Sequence, residues 1–298
     1  MSIQLDKRAL ENIKNYQYKT NGLTYIETHF YEYFWNFILS LLPRSLAPNM
    51  MTLLGLVFPL IHFFILLYYD WTFTATLPNW VHLHAVWMVL WYQTIDAVDG
   101  KQARKTDNCS SLGQLLDHNL DQISYTIIFL NVCATCKTGS NWFLIFLVMP
   151  PIFTPHYSIE FRKHFTKIHV TVVGAFGATE SMTIMMTGFF GAFLAYNSND
   201  FYQIVFELIG IKFTIGQLIL WGSFISGVHY NLENIYYGFK GSSSTYRAFM
   251  TLFPYIQLYI ISIILNLHRR FIKYFINSRD KIPRTLYRTI SFCDIIVL

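Results

Sequence analysis

From Met50 onward the chain is a series of long apolar runs separated by short polar stretches. Residues 50–69 contain no Asp, Glu, Lys or Arg, and neither do residues 71–95. A membrane-crossing helix needs about 20 such residues. The pattern predicts spans near 50–69, 79–97, 113–135, 142–159, 180–197, 213–231 and 248–267, about seven in all. Residues 28–46 mix aromatic and polar positions like an amphipathic helix lying at the interface. The first 19 residues are polar, with Lys7, Arg8, Lys14 and Lys19, so no cleavable signal peptide is expected. The expected fold class is all-α, a polytopic integral membrane protein. It divides into an N-terminal segment (1–46), a membrane-embedded domain (47–268) and a basic tail (269–298).

Composition sharpens this. Hydrophobic residues make up 53% of the 298 and charged residues only 13%. A soluble domain carries roughly 25% charged residues, so a soluble enzyme is excluded, and a disordered chain with it. Four cysteines are too few for a disulfide scaffold; Cys133 and Cys136 read as small helix residues rather than a redox or zinc pair. Basic residues orient the chain: Arg44, then Lys101, Arg104 and Lys105 after the second span, then Arg162, Lys163 and Lys167 after the fourth, all expected in the cytosol. Seven spans would put the tail on the far side. That tail holds Arg269, Arg270, Lys273, Arg279, Lys281, Arg284 and Arg288, so the span count or a returning helix is in question.

The chemistry concentrates in residues 96–121. Asp96 and Asp99 are three apart at the end of the second apolar run; Gly113, Asp117 and Asp121 are four apart at the start of the third. Both spacings put their residues on one helix face. Two antiparallel helices would aim four carboxylates at one point near the cytosolic surface. Such charges repel unless cations neutralise them, and hard oxygen ligands suit Mg²⁺ or Mn²⁺. Gly100, Ala103 and Gly113 leave room for a flat group, and Arg104 offers a fork for a phosphate oxygen. This equipment suits phosphoryl transfer. The bland alternative, helix ends salt-bridged through Lys101, Arg104 and Lys105, explains any two of the acids but not all four.

Residues 96–121 resemble the signature of the CDP-alcohol phosphotransferases, D-x-x-D-G-x-x-A-R-x8-G-x3-D-x3-D, at all eight fixed positions. Phe34-Trp35-Asn36, the segment Leu46-Ala47-Pro48-Asn49 through Thr52 and Gly55, Gly174 through Thr179-Glu180, and Asn231, Asn234 and Tyr236-Tyr237 are similar to the eukaryotic choline- and ethanolaminephosphotransferase branch. That branch runs longer and has further helices. The resemblance implies a six-helix core plus about one further span and two divalent ions, Mg²⁺ or Mn²⁺. It implies CDP-choline or CDP-ethanolamine as donor, diacylglycerol as acceptor, and phosphatidylcholine or phosphatidylethanolamine plus CMP as products. It places the site on the cytosolic face of an endoplasmic reticulum or Golgi membrane, among membrane lipids. A homodimer is compatible with it, and no nucleic-acid partner is expected.

The resemblance assigns Asp96, Asp99, Asp117 and Asp121 to the metals. Gly100, Ala103, Arg104 and Gly113 would line the CDP pocket, with Asn49 and Thr52 as further candidates. Asn49 also reads as a helix N-cap. The acceptor hydroxyl needs a base. Asp121, His156, His164 and His169 are the candidates, with Glu160 spaced to orient His156 or His164. His118 lies about 60° off the acid face at about 100° per residue. Choline and ethanolamine are not distinguished. Two alternatives remain: another CDP-alcohol enzyme, such as a phosphatidylinositol or phosphatidylglycerophosphate synthase with Arg162, Lys163 and Lys167 binding its acceptor, and a cation transporter.

Overall fold

The computed structural model describes residues 20–139, 154–170, 172–173, 176–195, 205–208, 211–257, 260–261 and 264. Most of the expected span at 142–159, residues 1–19, Gly174, and the tail 269–298 lie outside the described residues. The chain divides into two compact units, Met1–Thr251 and Leu252–Leu298. In the second, residues 252–257 are helical. The first carries all the chemistry discussed below.

The described structure is mostly helical. A π-helical turn, Glu27–Tyr31, leads into α1 (Glu32–Leu41), so helix covers most of the region expected at 28–46. Thr24 and Glu27 start it with reciprocal bonds: the Thr24 N–H donates to Oε2 at 2.8 Å and the Glu27 N–H to Oγ1 at 3.2 Å. Next come α2 (Pro48–Gly55) and α3 (Val57–Asp70). The break at Leu56 has a cause in Pro59, whose ring cannot sit against the carbonyl four residues back, that of Gly55. Together they make a 23-residue stretch, Pro48–Asp70, long and apolar enough to cross a membrane, and among the described residues it alone passes that test. Ala47 precedes Pro48 at the start of α2, so Asn49 lies inside the first turn and is not the N-cap the sequence suggests.

The third and fourth helices are α4 (Asn79–Lys105) and α5 (Ser111–Thr135). They match the expected spans at 79–97 and 113–135, except that α4 runs on for two turns past the apolar residues. Lys101 and Lys105 explain the extension, because both reach α1. Lys101 Nζ donates to Glu32 at 2.6 Å, and Lys105 Nζ to the carbonyls of Leu39 and Leu42 at 2.9 and 3.1 Å. A cation on the last carbonyls of α1 is favourable. Neither lysine pairs with the acids, which removes the salt-bridge explanation of the motif. Asp107, in a left-handed conformation (φ 57°), turns the chain, and Ser110 caps α5 by accepting the Gly113 N–H at 3.0 Å. The motif's eight-residue gap is thus a helix end, a turn and a cap.

Helix α6 (Pro155–Thr166) is followed by a two-residue ribbon, β1 (Val172–Val173) with β2 (Phe176–Gly177), and by α7 (Ala178–Leu194). A second ribbon, β3 (Val205–Leu208) with β4 (Ile211–Thr214), precedes α8 (Ile215–Gly241). These short antiparallel pairs lie in the connections between helices, and the described structure is consistent with the all-α expectation. Helix α8 also extends ten residues past the expected 213–231. Helix α4 is central, packing on α1, α2, α3, α5 and α7, while α6 packs on α8. Leu66, Val81, Met88, Ile128, Phe189 and Leu220 form the main core, and Trp35, Met51 and Val98 tie α1 to α2 and α4. Cys133 and Cys136 are buried at the end of α5, as small helix residues would be.

Candidate active site

Antiparallel α4 and α5 bring Asp96, Asp117 and Asp121 together, with one oxygen from each within 4.8 Å of the others. Asp121 accepts the Tyr92 hydroxyl at 2.6 Å, while Oδ1 of Asp117 is buried with no hydrogen-bond partner. Tyr92 was legible in principle, since it precedes Asp96 by four residues. Asp99 stands beside this trio and accepts the buried Thr52 hydroxyl at 2.5 Å. Among the described residues no lysine or arginine ion-pairs with these four acids. An unpartnered buried oxygen and three converging carboxylates form a group that could hold a metal ion.

The acids open on a cavity of about 1700 Å³. Its wall includes Asn49, Thr52, Gly100, Ala103, Arg104 and Gly113, every residue the sequence suggests for a nucleotide pocket. A side chain at Gly100 would meet only Arg104 Nη1, at 3.6 Å. A Cβ at Gly113 would come within 3.1 Å of Ser110 Oγ and 3.2 Å of Asn49 Oδ1, so α2 and α5 approach closely there.

The histidines sort differently from expectation. His156 and His169 line the cavity; His164 does not, and packs edge-on against Phe165 with ring centroids 4.8 Å apart. Glu160 orients neither His156 nor His164. Its Oε1 lies 3.3 Å from His118 Nδ1, 3.5 Å from His169 Nδ1 and 3.2 Å from Lys163 Nζ. Spacing along one helix could not show this, because His118 comes from α5 and His169 from beyond the end of α6. His118, although off the acid face, stacks on His169 with ring centroids 5.1 Å apart and lines the same cavity. Burial opposes ionisation of Glu160. The contacts with His118 and His169 and the charge of Lys163 outweigh it and hold the carboxyl below the usual carboxylate range. Burial pushes His169 below the ordinary imidazole value, against the pull of Glu160.

The basic residues at the end of α6 are engaged internally. Arg162 donates to the buried Asn234 at 3.2 Å, sits 3.6 Å from Glu233 and stacks over Tyr237 at 4.3 Å. Lys163 holds Glu160, and Lys167 Nζ donates to the His164 carbonyl. The Thr-Glu pair starts α7. Glu180 accepts the Gly177 N–H at 2.8 Å, and the Thr179 hydroxyl donates to Glu27 at 2.6 Å.

This geometry belongs to a recognisable class. The family model described as CDP-alcohol phosphatidyltransferase matches residues 45–227, and the chain belongs to that family. Within it, the chain is 31% identical over 263 residues to a Dictyostelium discoideum protein named uncharacterized CDP-alcohol phosphatidyltransferase class-I family protein 1, covering 88% of this chain and 68% of that one. It is 34% identical over 152 residues to cholinephosphotransferase 1 of Danio rerio, covering 50% and 40%. Against cholinephosphotransferase 1 of Homo sapiens it is 28% identical over 261 residues, covering 78% and 63%. The chain thus spans only part of each of these relatives.

Proposed function

We propose that the chain transfers phosphocholine or phosphoethanolamine from the CDP-alcohol to diacylglycerol, releasing CMP, at the cytosolic face of an endoplasmic reticulum or Golgi membrane. The observation that carries this reading is the convergence of Asp96, Asp117 and Asp121 on a wall shared with Gly100, Ala103 and Arg104. Asp96, Asp99, Asp117 and Asp121 would hold two Mg²⁺ or Mn²⁺ ions, an all-oxygen donor set fitting hard cations. Such ions, when bound, neutralise pyrophosphate and the leaving CMP phosphate. Tyr92 and Thr52 fix the orientation of Asp121 and Asp99. Arg104 offers its guanidinium to a phosphate oxygen, and Gly100 leaves the nucleotide room against the backbone.

The acceptor oxygen attacks the phosphorus bearing the alcohol, the bond to the CMP oxygen breaks, and the hydroxyl proton passes to a base. We assign that base to a histidine held by Glu160, His118 or His169, which leaves Asp121 to the cation. Glu160→Gln is expected to lower kcat about a hundredfold with little change in donor KM, within the usual range for acid–base groups. Comparing His118→Gln with His169→Gln identifies which imidazole takes the proton. Full kcat in Glu160→Gln would remove the assignment.

Membrane embedding draws support from the apolar side chains left uncovered along α3, α7 and α8, such as Phe64, Leu67, Ile184, Leu194 and Ile225. In this reading the six-helix core and about one further span occupy 47–268, with 1–46 cytosolic and 269–298 a basic tail. The cavity continues between α7 and α8 past Met185, Gly188, Leu218 and Gly222, a path that suits an acceptor entering from lipid. The internal pairing of Arg162, Lys163 and Lys167 counts against an anionic, water-soluble acceptor. The deciding experiment measures CMP release by purified chain with diacylglycerol and each CDP-alcohol. Release only from CDP-diacylglycerol with inositol or glycerol phosphate would overturn the proposal.

Orientation has its own test. Asn108-Cys109-Ser110 is a formal glycosylation acceptor in the exposed turn between α4 and α5. On the cytosolic side it is expected to stay unmodified. A glycosidase-sensitive mass shift abolished by Asn108→Gln would reverse the orientation and move the site to the lumen.

A further inference from the structure

We infer that His118, Glu160 and His169 form a second cation site, matched to a transition ion of the Zn²⁺ kind, and that filling it stops the transfer reaction. The three donors come from different places, α5, α6 and the segment after α6. Their ligand atoms nevertheless all lie within 4.8 Å of one another. The two contacts to Glu160, at 3.3 and 3.5 Å, are close to the donor separations of a tetrahedral zinc site with bonds of about 2.0–2.2 Å. An ion can therefore enter with small side-chain shifts and no helix movement.

The donor type separates this site from the acid cluster. Two imidazoles and one carboxylate favour zinc, whereas an all-carboxylate set favours Mg²⁺ or Mn²⁺. His118 and Glu160 project from helices, and His169 is 8% exposed and stacked on His118. Lys163, 3.2 Å from the same Glu160 oxygen, already places one cation there, and an entering ion must displace it. His118 and His169 also line the cavity onto which the acids open. Zinc bound through Nδ1 would leave each ring's one proton on Nε2, so neither imidazole would keep a free lone pair for the acceptor's proton. The binding claim stands on the geometry alone. The inhibition rests on the reading of a Glu160-held histidine as the base.

The test uses the purified full chain in detergent with saturating Mg²⁺ to occupy the carboxylates. Co²⁺ is titrated as a coloured substitute and then displaced with Zn²⁺. The expected result is one equivalent of Co²⁺ with the visible absorption of a low-coordinate nitrogen–oxygen site, abolished by Zn²⁺. His118→Gln and His169→Gln are each expected to weaken Zn²⁺ binding at least about tenfold, no less than the loss of an outer hydrogen-bond partner to a ligand, and Asp96→Asn to leave it unchanged. Lys163→Met, which removes the competing ammonium, is expected to tighten it, a gain that misfolding cannot imitate. Absorption that persists in both histidine variants, or disappears in Asp96→Asn, would overturn the site. Zn²⁺ is expected to inhibit CMP release over the concentration range in which it displaces Co²⁺. Stoichiometric binding with undiminished turnover would overturn the inhibition and the base assignment together, while CMP release that never occurs from either CDP-alcohol would count against the proposed reaction alone.

Discussion

Asp96→Asn and Asp117→Asn are each expected to lower CMP release about a thousandfold or more, with excess chelator doing the same to the unaltered chain and Mg²⁺ or Mn²⁺ restoring it. A fully placed metal contributes several kcal/mol of charge stabilisation, and each 1.36 kcal/mol is about tenfold in rate. Asp99→Asn is expected to follow, since Thr52 fixes that carboxylate beside the trio. Stability should move in the opposite direction. Three carboxylates with oxygens within 4.8 Å repel one another without a cation, and two unit charges about 4 Å apart at an effective dielectric of about 20 interact by about 4 kcal/mol. Removing one charge should therefore raise the melting temperature in chelator. Mg²⁺ should stabilise the unaltered chain, by about 2.7 kcal/mol at a hundredfold excess over Kd, and do so far less in the variants. Thermal unfolding with and without Mg²⁺, run beside the turnover assay, checks both signs. Full turnover in any of the three variants would sink the site assignment. Equal destabilisation with and without Mg²⁺ would instead mark the acids as structural.

The acid site was legible because helix periodicity alone carries it. Spacings of three and four put each pair of acids on one face, and α4 and α5 are long helices with little to interrupt them. The helices at 48–70, 79–105 and 111–135 were legible for the same reason: long apolar runs leave few alternatives. What failed involves contacts between elements. The i, i+4 rule pairs Glu160 with His156 or His164 on its own helix, whereas the fold supplies His118 and His169 from elsewhere. The rule for caps puts Asn49 before α2, but Pro48, which needs no N–H partner at the first helical position, moves the start two residues earlier. Arg162, Lys163 and Lys167 read as a free basic cluster because the sequence does not show that Asn234, Glu233, Glu160 and the His164 carbonyl engage them. The β3–β4 ribbon falls between the stretches expected at 180–197 and 213–231 and overlaps the second, although Val205 through Thr214 contains a Gly between two β-branched and aromatic runs.

Glycines 100 and 113 allow the nucleotide assignment to be separated from packing, because the fold treats them differently. Gly100 lies inside α4, and a Cβ there meets only Arg104 Nη1 at an ordinary 3.6 Å. Gly100→Ala should stabilise the helix by about 1 kcal/mol. It also puts a methyl on the cavity wall where the donor must approach the backbone, so donor affinity is expected to fall about tenfold while the melting temperature rises. Opposite signs in one variant exclude general damage. Gly113 is tight already, with Ser110 Oγ and Asn49 Oδ1 within 3.2 Å of the point a side-chain carbon would occupy. Small residues permit such close helix approach in a membrane. Gly113→Leu should leave α5 apolar enough to insert, giving normal membrane abundance, yet abolish donor binding by filling the space beside Asp117. Ala103→Leu, four residues after Asp99 on the facing helix, should behave alike. A purely structural role for Gly113 makes a different prediction. The cap it forms with Ser110 uses only its backbone N–H, which leucine also has, so donor affinity in the surviving protein would be unchanged. Nucleotide affinity and abundance measured together in the three variants decide the matter, and unchanged affinity in all three would remove the glycines and the alanine from the donor pocket.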